Sequence, residues 1–133
     1  MHVDGHRQRC ERGSLRDARA HAGNVAAVAR EYKLVYFVPE EARDATRDAV
    51  FAAGGGVIGD YERCSWYTLG TGTFRPGEGA DPAIGEVGTE EHVTEYRVEI
   101  VVPAGSLDPA LAALRQAHPY EEVALDVYAL HQA

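Results

Sequence analysis

The chain has 133 residues, 45% of them apolar and 26% charged; that is enough for one core and too few for two domains of typical size. Such a composition excludes a disordered or low-complexity chain, and no apolar run approaches the roughly 20 residues of a membrane-spanning helix. Charge is divided unevenly. Residues 1–31 carry six Arg against Asp4, Glu11, Asp17 and Glu31, a balance of +2, whereas residues 32–133 carry 7 basic and 17 acidic residues, a balance of −10.

The first segment, residues 1–31, is rich in Arg, His, Gly and Ala and holds few sizeable apolar side chains. It reads as a basic N-terminal extension, disordered or loosely helical, and carries no secretory or transit signal. At Tyr32 the pattern changes to Lys33-Leu34-Val35-Tyr36-Phe37-Val38, a β-branched and aromatic run closed by Pro39, which predicts a central strand and the start of the domain proper, residues 32–133. After Pro39, Ala42, Ala45, Thr46, Ala49, Val50 and Ala53 recur at helical spacing. They predict a helix with a small-residue face, ended by Gly54-Gly55-Gly56. Tyr61 to Leu69 predicts a second strand, with Cys64, Trp66 and Thr68 on one side and Ser65, Tyr67 and Leu69 on the other. Tyr96, Val98, Ile100 and Val102 alternate with Glu95, Arg97 and Glu99 in a third strand stopped by Pro103. Asp108 as N-cap and Pro109 at the first helical position open a second helix, whose stripe is Ala110, Leu111, Leu114 and Ala117. Val123 to Leu130 makes the last strand.

The order βαββαβ predicts an α+β, ferredoxin-like sandwich: a four-stranded antiparallel sheet with two helices on one face. Two helices cannot cover Trp66, Tyr67, Tyr128 and Leu130 together, so part of this apolar surface is expected to meet solvent or another copy of the chain. The acidic body, with its basic residues scattered singly, is a poor match for nucleic acid. The two cysteines, Cys10 and Cys64, have no disulfide or zinc-knuckle spacing, which fits a reducing, cytoplasmic protein without a membrane partner.

Three places carry candidate chemistry. Residues 70–88 hold six of the 14 glycines and connect the second strand to the third. A connection of that length suits a binding or assembly arm anchored by Phe74 and Ile84. It lacks the glycine spacing of a phosphate cradle. His118-Pro119-Tyr120-Glu121-Glu122 is the densest polar cluster. His118, Glu121 and Glu122 are suitable ligands for a divalent metal ion, the one cofactor the segment suggests, although it supplies fewer than the three or four ligands of a closed site. His118 could equally complement the C-terminus of the second helix. Cys64 could supply a thiolate near the sheet end where the last strand begins, or be a small buried hydrophobe. His92, among Glu90, Glu91 and Glu95, reads as solvated surface. No nucleophile or metalloprotease motif is present in the sequence.

Three stretches, Gly59 to Trp66, Gly70 to Pro76 and His118 to Ala124, resemble in order the insertion domain of the Nif-three-like family, also called dinuclear metal centre or GTP cyclohydrolase I type 2-like proteins. The resemblance covers about residues 32–131. It implies a CutA/PII-like fold and a homotrimer. It does not extend to the lobes that carry the family's metal site, so no metal ligand is carried over. The expectation is therefore a stand-alone, non-enzymatic module for a small ligand or metal ion, regulatory in kind, with sites between subunits. The candidate ligand-binding residues are Cys64, Trp66, Thr73, Phe74, Arg75 and Tyr120. The alternative is a metal-dependent hydrolase, or its detached accessory domain working with a separate metal-binding partner.

Overall fold

The computed structural model describes residues 30–133; the extension expected over residues 1–31 lies, up to residue 29, outside them. Four strands and two helices follow in the order β1 (Tyr32–Val38), α1 (Glu40–Ala52), β2 (Trp66–Phe74), β3 (Glu91–Val102), α2 (Leu107–Ala117) and β4 (Leu125–Ala129), with one 3-10 turn, Ala104–Ser106, ahead of α2. The strands form a single antiparallel sheet in the order β2-β3-β1-β4. The ferredoxin-like α+β architecture is therefore the one the element order predicts.

Side-chain alternation gives the sheet two unlike faces. Leu34, Tyr36 and Val38 of β1 lie opposite Ile100, Val98 and Tyr96 of β3. With Val50 of α1 and Ala110 and Leu114 of α2 they make up the core, and all of them but the half-buried Tyr96 are at most 1% exposed. Its one polar pair is satisfied: the Tyr36 hydroxyl donates to Thr46 Oγ1 at 3.0 Å, and Thr46 donates in turn to the carbonyls of Ala42 and Arg43, each at 2.9 Å. Burial pushes the Tyr36 phenol up to about 12.

Several elements differ from the sequence reading. The helical face of α1 is narrower: Thr46 and Val50 are buried, Ala45 is exposed, and Phe51 packs on the core instead. Helix α2 starts at Leu107, because Ser106 rather than Asp108 takes the N-cap position after the 3-10 turn. Strand β2 begins five residues later than expected and runs on through Gly70-Thr71-Gly72-Thr73-Phe74, pairing with an equally extended β3 from Gly70 opposite Glu95 to Phe74 opposite Glu91. The glycines do not break this strand because its backbone bonds are supplied by β3.

Residues 53–65 are folded onto the end of the sheet by backbone bonds, Gly56 N–H donating to Val101 O and Cys64 N–H to Gly56 O, both at 2.8 Å, and are tied to α1 by Arg47 Nε donating to Ser65 Oγ at 3.2 Å and by the Arg63–Asp48 pair at 2.7 Å. Gly56 adopts a φ of +81°, and a Cβ there would strike the Phe51 ring, so glycine is required on two counts. Of the large apolar residues expected at the surface, Tyr67 is 39% and Tyr128 48% exposed; Leu69, outside that expectation, reaches 55%. Trp66 and Leu130 are only partly exposed. Tyr67 and Leu69 lie opposite Val98 and Tyr96, on the helix-bearing side of the sheet, but β2 is the edge strand and stays exposed there. Among the described residues no helix is long and apolar enough to cross a membrane.

Candidate functional site

The face of the sheet away from the helices carries Phe37 of β1, Gly72 and Phe74 of β2, and Val93 and Glu95 of β3, by the same alternation. At the end of the sheet where β1 and β2 finish, residues 75–84 lie over this face, and residues 120–124, leading into β4, close its side. The result is a cavity of about 360 Å³, lined by these residues together with Arg75, Pro76, Pro82, Ile84 and Tyr120 to Glu122. Its size is near the lower end of the roughly 300–1,000 Å³ of small-molecule sites.

Most of the lining is apolar, and the polar groups have distinct duties. Glu121 accepts a hydrogen bond from the Asp81 backbone N–H at 2.7 Å, joining the two walls of the cavity. Arg75 donates from Nε to Gly88 O at 3.1 Å, which ties its side chain into the arm. Glu95 lies over β2, where a Cβ at position 72 would collide with its carboxylate, so Gly72 leaves the space it occupies. Burial raises the Glu95 carboxyl above the ordinary carboxylate value. Burial also raises the Tyr120 phenol, with the Glu95 and Glu41 charges adding to it.

His118 holds this corner together. It is 7% exposed. Its Nδ1 accepts from the Tyr120 backbone N–H at 3.1 Å, so Nε2 carries the proton and donates to Phe37 O at 2.7 Å. Thus the imidazole fastens the end of α2 to the last turnless stretch of β1 and sets the direction of residues 119–124. Desolvation lowers its proton affinity, opposed by the bond to Phe37. The Tyr120 ring packs against it at 4.9 Å between centroids.

Of the residues singled out from the sequence, Thr73, Phe74, Arg75, Tyr120, Glu121 and Glu122 all line the one cavity. Residues of the 70–88 arm and of the His118 to Glu122 segment therefore meet inside a single chain, where the expectation was a site between subunits. Cys64 and Trp66 do not join them. In an antiparallel sheet of this order, β2 starts at the end where β4 finishes, which corrects the expectation that Cys64 lies near the start of β4. Cys64 is buried instead in the segment ahead of β2. Among the described residues no three His, Cys, Asp or Glu side chains are grouped as a metal ion requires, and both His118 nitrogens are engaged in the chain's own hydrogen bonds. His92 pairs with Glu90 at 3.1 Å on the exposed surface.

The sequence reading missed Glu95, Phe37 and Val93 as site residues. It placed Glu95 on a plain polar face. The available signal was the alternation of Gly70, Gly72 and Phe74, which, read as strand instead of loop, puts small residues beside Glu95 and leaves a hollow.

No protein-family model matches the chain. It is 57% identical over 98 residues to the GTP cyclohydrolase 1 type 2 homolog of Mycobacterium tuberculosis, a match covering 74% of this chain and 26% of that protein. The protein of the same name from Halalkalibacterium halodurans is 46% identical over 99 residues, with 74% and 27% covered. The chain thus spans about a quarter of the length of the curated relatives it matches. Among solved structures, a Bacillus cereus protein related to NIF3 aligns with a TM-score of 0.67 at 42% identity, over 76% of this chain and 26% of the other. CutA1 from Pyrococcus horikoshii aligns with a TM-score of 0.57 at 10% identity, over 77% and 85%, a likeness of fold alone.

Proposed function

We propose that this homologue of a quarter-length segment of the Nif-three-like proteins is a non-enzymatic, self-associating module that binds a small molecule in the cavity on its helix-free sheet face. The observation that carries the reading is the convergence of four separate stretches of chain, around Phe37, residues 72–84, residues 93–95 and residues 120–124, on one apolar hollow with a few polar groups. The name of the relatives does not bring GTP to this hollow. A nucleoside triphosphate would face Glu95, Glu121 and Glu122 with Arg75 as the single cation of the lining, and Gly70 and Gly72 belong to strand β2 rather than to a phosphate-binding loop ahead of a helix.

Self-association is supported by the exposed Tyr67, Leu69 and Tyr128 and by the open edge of β2, since unpaired edges and apolar patches are normally covered. Light scattering of the purified chain is expected to give a homotrimer, the state implied by the family resemblance. A monomer at micromolar concentration would remove this part of the proposal. Ligand binding is tested by a thermal-shift screen of metabolites and divalent metals, because a ligand of the folded state alone must raise the melting temperature. The expected hit loses its effect in Ala83→Trp, which fills the hollow from the exposed arm. A screen without any hit, or a hit indifferent to that substitution, would overturn the site.

A further inference from the structure

Resting on that reading of the cavity, the geometry points to the class of its ligand: we infer that the hollow takes a small organic cation, an ammonium group on a flat apolar body. The cation would lie between the Glu95 carboxylate and the Tyr120 hydroxyl, with the apolar body against Phe37, Phe74, Val93 and Ile84.

Three features of the lining support this. First, its charge is one-sided, with Glu95, Glu121 and Glu122 against Arg75, and Arg75 is drawn into the arm by its bond to Gly88 O. Second, the carboxylates differ in occupation. Glu121 is used by the Asp81 backbone, whereas Glu95 makes no hydrogen bond or ion pair with any described residue. Glu99, on the same face of β3, does have partners: it binds Lys33 at 3.6 Å and Arg97 at 3.1 Å. Third, Glu95 keeps its position over a glycine and beside Val93 and Phe37, where its charge is partly stripped of water. A partly desolvated carboxylate without a partner is destabilising by itself and is relieved by a bound cation. An anion would meet three carboxylates, and a neutral molecule would leave Glu95 as it is.

The test uses three probes of nearly one shape on the full chain by isothermal titration calorimetry at neutral pH: 2-phenylethylamine as cation, 2-phenylethanol as neutral body and phenylacetate as anion. The amine is expected to bind at least about tenfold more tightly than the alcohol, the scale of one charge-assisted hydrogen bond, and phenylacetate more weakly than either. Glu95→Gln should erase the advantage of the amine while leaving the alcohol unchanged, with circular dichroism confirming the fold. Ala83→Trp, which leaves the sheet untouched, should abolish binding of both. Equal binding of amine and alcohol, or a preference for phenylacetate, overturns the cation assignment while the cavity reading survives through the Ala83→Trp control. Failure of the amine to bind at millimolar concentration also overturns it, and the cavity reading is then decided by the metabolite screen.

Discussion

The two faces of the sheet are built from alternate residues of the same strands, yet they treat polar groups in opposite ways. On the helix side, Tyr36 and Thr46 are buried and complete each other's hydrogen bonds, ending on the carbonyls of α1. On the other side, Glu95 sits partly desolvated beside Phe37 and Val93 without a hydrogen-bond or ion-pair partner among the described residues. A satisfied buried group fixes a core, whereas an unsatisfied one at the bottom of a hollow holds free energy that a ligand can release. The two faces meet at His118, whose ring bonds the end of β1 on one side and the chain turning toward the cavity on the other.

Substitutions can break or sharpen this contrast. The largest effect is expected on the helix side: Leu114→Ala, at a position fully buried between α1, α2 and the sheet, should cost about 2–5 kcal/mol in urea denaturation. Ala83→Trp across the sheet should leave the unfolding midpoint nearly where it was. Equal losses at the two positions would mean that the arm belongs to the core.

An intermediate effect is expected where the faces join. His118→Ala deprives Phe37 O and the Tyr120 N–H of their partners and should cost about 1–3 kcal/mol. Because burial holds the folded-state imidazole below its ordinary value of 6.5, the folded chain binds that proton less readily than the unfolded one. The stabilisation is therefore present above pH 6.5 and lost as pH falls through the lowered folded value. The variant should lose this part of the pH profile of the melting temperature, and an unchanged profile would remove His118 from the role given to it.

The smallest effect, of opposite sign, belongs to Glu95. Its carboxyl is raised by burial, so the folded state holds the proton more tightly than the unfolded state, and stability declines as pH rises through the carboxylate range. Glu95→Gln should flatten that decline and leave the chain slightly more stable at neutral pH. A variant less stable than the parent would show that the carboxylate has a partner, and the contrast between the faces would fail.

Much of this molecule was legible without coordinates because two periods carry it. The β-branched and aromatic run of Leu34 to Val38 and the alternation in Tyr96 to Val102 named the central strands, and the spacing of Ala110 and Leu114 named α2, since burial leaves that mark on the sequence. The polar cluster at His118 to Glu122 and the residues Thr73 to Arg75 were both marked by composition as well, one as a titratable cluster and the other as part of a glycine-rich stretch. What the sequence obscured was the state of that stretch. Glycine has no strand propensity of its own, and Gly70 to Phe74 are strand only because β3 supplies their hydrogen bonds.

The order of elements, the helix-side core and the family resemblance are thus properties of the sequence alone. They depend on neighbours a few residues apart and on the patterns those neighbours make. The meeting of residues 72–76 with residues 120–122, the removal of Cys64 to the other end of the sheet and the isolation of Glu95 were decided by the tertiary structure. Each depends on which strands lie side by side and which way they run, and such long-range pairing leaves no local period to read.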